Sequence, residues 1–118
     1  MKKIFVLCLY CALVFSCNTT SFSEIQAFLP DLTNKPDGVY RGNYDLSGSP
    51  VKVTVDVIIR NNNISDINII QHFSSPIGKR AEVITESIII EQSLDIDAIS
   101  GATGSSKAIL KAVENALQ

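Results

Sequence analysis

Residues 51–60 read Val-Lys-Val-Thr-Val-Asp-Val-Ile-Ile-Arg, with every odd position apolar and the even positions nearly all polar. A period of two puts one set of side chains on each face of an extended chain, so this stretch is a half-buried strand. Asn61-Asn62-Asn63 follows, and asparagine tolerates the positive φ of a tight turn. Ile64, Ile67 and Ile69 then carry a returning strand over Ile64 to Gln71. Upstream, Val39 to Leu46 reads as a first strand, ended by the turn residues Ser47-Gly48-Ser49-Pro50. Three consecutive strands joined by short turns form an antiparallel meander, whose apolar face needs a cover. The cover comes from the second half of the chain. Past Pro76, Ala81, Ile84, Ile88 and Glu91 fall on helical spacing, as do Ala108, Ile109, Ala112, Val113, Ala116 and Leu117, with Lys107, Lys111 and Glu114 on the opposite face. Ile88-Ile89-Ile90 is β-branched and competes as strand. The expected class is α+β: an antiparallel meander, then helices.

The N-terminus reads as an export signal rather than as part of the fold. Met1-Lys2-Lys3 is cationic, and Ile4 to Phe15 is an uncharged apolar run, too short for the roughly 20 residues that a spanning helix needs. Val14-Phe15-Ser16-Cys17 resembles a bacterial lipobox, with a bulky Phe15, which makes residues 1–16 a signal peptide and Cys17 the lipidated residue. Ordinary cleavage near Ser16 and an uncleaved anchor are the alternatives. Each places the domain outside the cytoplasm: a membrane-anchored lipoprotein, or else a secreted or periplasmic protein. The chain's three cysteines are Cys8, Cys11 and Cys17, so no disulfide, thiolate zinc site or cysteine nucleophile is available beyond Asn18. Cys8 and Cys11, in an apolar signal core, read as small hydrophobes. Without Lys2 and Lys3, eight basic side chains face twelve acidic ones, a balance that excludes a nucleic-acid-binding surface. Residues 17–36 are polar, with Ile25, Phe28 and Leu29 at the spacing of a short helix, and read as a helix or tether ahead of a domain over 37–118.

Chemistry concentrates between the two helical patterns. Asp97-Ala98-Ile99-Ser100-Gly101-Ala102-Thr103-Gly104-Ser105-Ser106 is a small-residue loop that opens onto the last helix. Unpaired N–H groups and the positive end of the helix dipole favour an anion at such a place. Gly101 and Gly104 allow close approach, Ser100, Thr103, Ser105 and Ser106 supply hydroxyls, and Lys107 supplies charge. The competing reading is plain: Ser105 or Ser106 caps the helix and the glycines only turn the chain.

Asp97-x-x-Ser100-Gly101-Ala102-Thr103 resembles the D-x-x-[S/T]-G-A-T motif of the FMN-binding domain family, the domain of the flavinylated subunits of sodium-translocating NADH:quinone oxidoreductases and Rnf-type complexes. The likeness runs through the domain. Asp37-Gly38-Val39-Tyr40-Arg41-Gly42 is similar to the family's D-G-x-Y-x-G opening, Val51 to Arg60 to its V-x-V-x-V strand, and Asn63-Ile64-Ser65-Asp66-Ile67 to its G-x-I-x-D-V return. The resemblance implies FMN as cofactor, joined through its phosphate to Thr103 by a separate flavin transferase that uses FAD and Mg²⁺. It also implies that Asp97 belongs to the transferase's recognition motif, that Ser100, Gly101 and Ala102 form the close-packed loop, and that Ser105 or Ser106 meets the phosphate. Where many members read H-x-E-T-P-G near the flavin, this chain has His72-Phe73-Ser74-Ser75-Pro76-Ile77-Gly78: His72 matches and becomes a cofactor-side candidate, while Ser74 replaces the acid. Phe73 reads as core or as a flavin-stacking face, and Tyr40 and Tyr44 as packing residues.

No Ser-His-Asp array, paired buried carboxylates or metal-ligand cluster stands out, and one histidine and no cysteine in the domain leave little from which to assemble one. The expected function is an exported FMN carrier in electron transfer with an unidentified redox partner, not a self-contained enzyme. A non-covalent FMN-binding module for storage or sensing, or an interaction domain that has lost the flavin, are the alternatives.

Overall fold

The computed structural model describes residues 26–118; Cys8, Cys11, Cys17, Ile25 and the expected signal and lipidation segment lie outside them. The expected meander is present as β1 (Gly38–Asp45), β2 (Lys52–Arg60) and β3 (Asn63–Phe73), in the order β1-β2-β3 with both pairs antiparallel. Asn61 and Asn62 turn β2 into β3 with φ of 53° and 61°, the left-handed pair that a two-residue hairpin of matching twist requires. β3 runs two residues beyond the expected end, through His72 and Phe73, and a register shift between Thr54 and Val55 leaves Ile70 bulged out and half exposed.

Alternation along β2 has the predicted effect: Val53, Val55, Val57 and Ile59 are wholly buried on one face. Over that face lies α2 (Thr103–Leu117), contributing Ala108, Ile109, Ala112, Val113, Ala116 and Leu117 at helical spacing. Each such Val, Ile or Leu side chain adds roughly 1.5–3 kcal/mol on burial. Small residues set the distance between layers. A β-carbon at Gly42 in β1 would overlap the Ala112 carbonyl oxygen and the Ala116 amide nitrogen, so β1 lies directly against the α2 backbone. Tyr40 and Tyr44 flank Gly42 on the same face and pack on the core, as expected.

The first helical pattern resolves into a 3-10 segment, Gly78–Val83, continuing into α1 (Ile84–Glu91), so the Ile88-Ile89-Ile90 run is helix. Ala81, Ile84 and Ile88 point inward. Gln92 ends α1 at φ 50° and uses its amide as an extra strand: Oε1 accepts from Ile64 N and Nε2 donates to Ile64 O, both at 2.8 Å, which occupies the start of the β3 edge.

Two expectations need correction. No helix forms over Phe28 and Leu29; Pro30 lacks the N–H that would continue one, and the segment instead packs across the fold, with Leu32 in the core and Lys35 Nζ donating to Leu117 O at 2.7 Å. That crossing explains the second correction. Glu114, expected on the outer face of α2, is 6% exposed, because residues 26–28 cover it and the Phe28 N–H donates to its carboxylate.

Candidate functional site

Ile96, Ile99 and Ala102 bring the loop after α1 back onto the core, and Gly101 turns it at φ +81°. α2 begins at Thr103, five residues before the apolar pattern starts at Ala108, with Ala102 as its first flanking residue and no side-chain cap. Ser105 and Ser106 therefore do not cap the helix; they lie inside its first turn and are buried. The Ser106 hydroxyl donates to Ala102 O at 2.7 Å and accepts from Ile99 N at 3.0 Å, which fixes the loop's shape and removes Ser106 from any ligand. Ser106 N is taken by Ala102 O at 2.9 Å, and the amides of Thr103, Gly104 and Ser105 have no acceptor among the described residues.

These amides border a cleft of about 250 Å³ lined by Leu46, Ser49, Val51, Ser74, Ser75, Ile77, Gly78, Gly101, Ala102, Thr103, Gly104 and Ser105. Continuing the β1-β2-β3 register past Asp45, Lys52 and Phe73 sets Leu46, Val51 and Ser74 in one row at the sheet's end, so three strands and the helix start meet here. None of the lining side chains is ionisable. Recognition of an anion would rest on N–H and O–H dipoles. Glycines let the cleft walls close together: a β-carbon at Gly78 would overlap Ser74 Oγ, and one at Gly104 would come 3.1 Å from Leu46 Cδ2.

Of the residues singled out in the sequence, Thr103, Gly101, Ala102 and Ser105 line this cleft, and Thr103 and Gly101 are exposed. Asp97 and Ser100 are exposed on the same loop without lining it. Lys107 sits elsewhere, on a separate cleft of about 400 Å³ beside Gln26, Phe28 and Leu94, so it brings no charge to the loop cleft. His72 is buried on the sheet's inner face, its Nδ1 3.2 Å from Glu82 Oε1 and its Nε2 without a partner. Phe73, opposite Lys52, is 62% exposed and is not core. Ser49, Ser74, Ser75 and Gly78 were not singled out as site residues. Ser74, Ser75 and Gly78 lie in the segment matched to H-x-E-T-P-G, and Ser49 in the turn between β1 and β2.

Glu114 lies on the far half of α2, with its carboxylate hydrogen-bonded. Burial raises its pKa, but the Lys111 hydrogen bond at 2.8 Å, the Phe28 amide and the Lys111 charge outweigh burial and hold the group below the ordinary glutamate range. Among the described residues no cluster of His, Cys, Asp or Glu is suited to a metal ion, and no helix is long and apolar enough to cross a membrane.

A three-stranded meander covered by helices, with the uncapped first turn of α2 opening on an uncharged, hydroxyl-lined cleft, is an α+β domain whose one helix start would favour an anion. The family model described as "FMN-binding domain" matches residues 47–118. The chain belongs to the FMN-binding domain family, and FMN is its cofactor. An uncharacterized protein of Treponema pallidum (strain Nichols) is 34% identical over 84 residues, covering 70% of this chain; the chain spans 23% of that relative's length. The lining suits the FMN phosphate, which would meet the free amides of Thr103, Gly104 and Ser105 and a hydroxyl-bearing cleft with no acidic side chain to repel it.

Proposed function

We propose that FMN is joined by a phosphoester to Thr103 and that the domain carries electrons outside the cytoplasm, held at the membrane by lipid on Cys17. The observation that carries this reading is the position of Thr103. It is exposed, stands first in α2, and lies on the cleft beside amides with no acceptor. A hydroxyl there is reachable by a modifying enzyme, and the phosphate it would bear falls where the helix start stabilises negative charge.

In the attachment step, a flavin transferase using FAD and Mg²⁺ directs Thr103 Oγ at the FMN-side phosphorus. The new O–P bond forms as the bond to AMP breaks, and the threonine proton leaves to solvent or base. Asp97 and Ser100, exposed on the approach to Thr103, are the surface such an enzyme reads. Once bound, the flavin supplies the redox chemistry, and this chain's residues attach and orient it. A cleft of about 250 Å³ is below the usual range of roughly 300–1,000 Å³ for a pocket that encloses a whole ligand, so it suits the phosphate end and leaves the ring at the rim, accessible to a donor or acceptor. The tether through Cys17 keeps the carrier near membrane partners.

Coexpression with a competent flavin transferase, followed by a denaturing gel viewed for flavin fluorescence, tests the attachment. The band is expected to fluoresce and Thr103→Ala to be dark. Flavin bound natively but lost on denaturation from the wild type would instead make this a non-covalent FMN module.

A further inference from the structure

A pair of hydroxyls in the cleft has a proton to spare. Ser74 Oγ and Ser105 Oγ lie 2.8 Å apart, and Ser105 is 4% exposed. Two hydroxyls carry two protons, and their mutual bond uses one. Neither oxygen has another hydrogen-bond partner among the described residues. The contrast with the next residue is informative. Ser106 turns back onto the carbonyl four residues earlier, as serines within helices commonly do, whereas Ser105 reaches across to the end of β3. Gly78 backs the pair: a β-carbon there would overlap Ser74 Oγ and come 2.6 Å from Ser105 Oγ, so only glycine at this position leaves the two hydroxyls where they meet.

We propose that Ser74 is a positioning residue for the flavin phosphate. Its O–H donates to Ser105 Oγ, which leaves the Ser105 proton directed at a phosphate oxygen. Ser105 takes the ligand-facing role because it shares the first turn of α2 with Thr103. The inference rests on the reading that the FMN phosphate occupies this cleft, and it holds whether or not the phosphate is esterified. In a cleft with no ionisable side chain, one oriented hydroxyl is a large part of what the anion meets.

Phosphorus NMR of the flavin-loaded protein tests it, because the resonance reports the phosphate's surroundings and not redox activity. Ser105→Ala is expected to shift the flavin phosphorus resonance and Ser74→Ala to shift it in the same direction. The double variant should move it no further than Ser105→Ala alone, since the two hydroxyls act in series. Ser65→Ala, exposed on β3, should leave it in place. Thermal midpoints of the loaded variants identify any change that comes from unfolding, and Ser74→Cys, which keeps a weak donor of similar size, should shift the resonance less than Ser74→Ala. An unmoved resonance in flavin-loaded Ser74→Ala, or shifts that add in the double variant, overturns the positioning role while leaving the FMN site intact. Wild-type protein without any flavin resonance overturns both.

Discussion

At Glu114, burial and hydrogen bonding act on one carboxyl in opposite directions, and hydrogen bonding wins. Its folded-state pKa lies below the unfolded one, so the ionised group stabilises the fold at neutral pH. That contribution is lost as pH falls from the ordinary glutamate value of about 4.3 through the folded value. Urea unfolding at pH 7 and pH 3 should show this: Glu114→Gln is less stable than wild type at pH 7, and its stability changes less between the two. Equal acid sensitivity of both proteins would remove Glu114 from the account. Sequence reading placed this residue outside because helical spacing reports only the face a helix turns from its own sheet. A strap arriving from residues 26–28 leaves no periodic mark in α2. Lys107 shows a related effect: adjacency to the loop in sequence says nothing about direction, and the helix carries it round to another cleft.

Elements were legible where a period ran long. β2, both turns, the order of the meander and the buried face of α2 follow from alternation, from Asn61 and Asn62, and from the Ala108 to Leu117 pattern. Helix starts were less so. Apolar spacing cannot find a first turn made of Thr-Gly-Ser-Ser, where the serines are buried by hydrogen bonding rather than by hydrophobicity, and the site was accordingly only half visible. Thr103, Gly101, Ala102 and Ser105 stand out in a compact motif, whereas Ser74 joins them through strand register and Gly78 through the turn after β3, which no periodic pattern states. Gly42 shows what a motif glycine does physically. It lets β1 touch the α2 backbone, so Gly42→Ala should cost about 3 kcal/mol through overpacking, read as a lower urea midpoint with an unchanged slope. A stability within error of wild type would show that the two layers can separate at little cost.

For the molecule as a whole, the segment ahead of β1 matters more than its polar composition implies. Leu32 is 7% exposed in the main core, and Lys35 holds the end of α2 through Leu117 O. Leu32→Ala should therefore cost about 2–4 kcal/mol, measured by urea unfolding, whereas a purely connecting segment would lose almost nothing. So small a domain has little stability to spare, which suits one that supplies a fixed cleft and leaves redox chemistry to FMN. The tethered-carrier reading depends on one bond, between Thr103 and the flavin phosphate. Tandem mass spectrometry of protein made with a flavin transferase, followed through the peptide carrying Thr103, tests it most directly. The account predicts that this peptide is heavier by one FMN less one water, with the added mass on Thr103 and absent from Thr103→Ala; an unmodified peptide, or FMN on another residue, would contradict it.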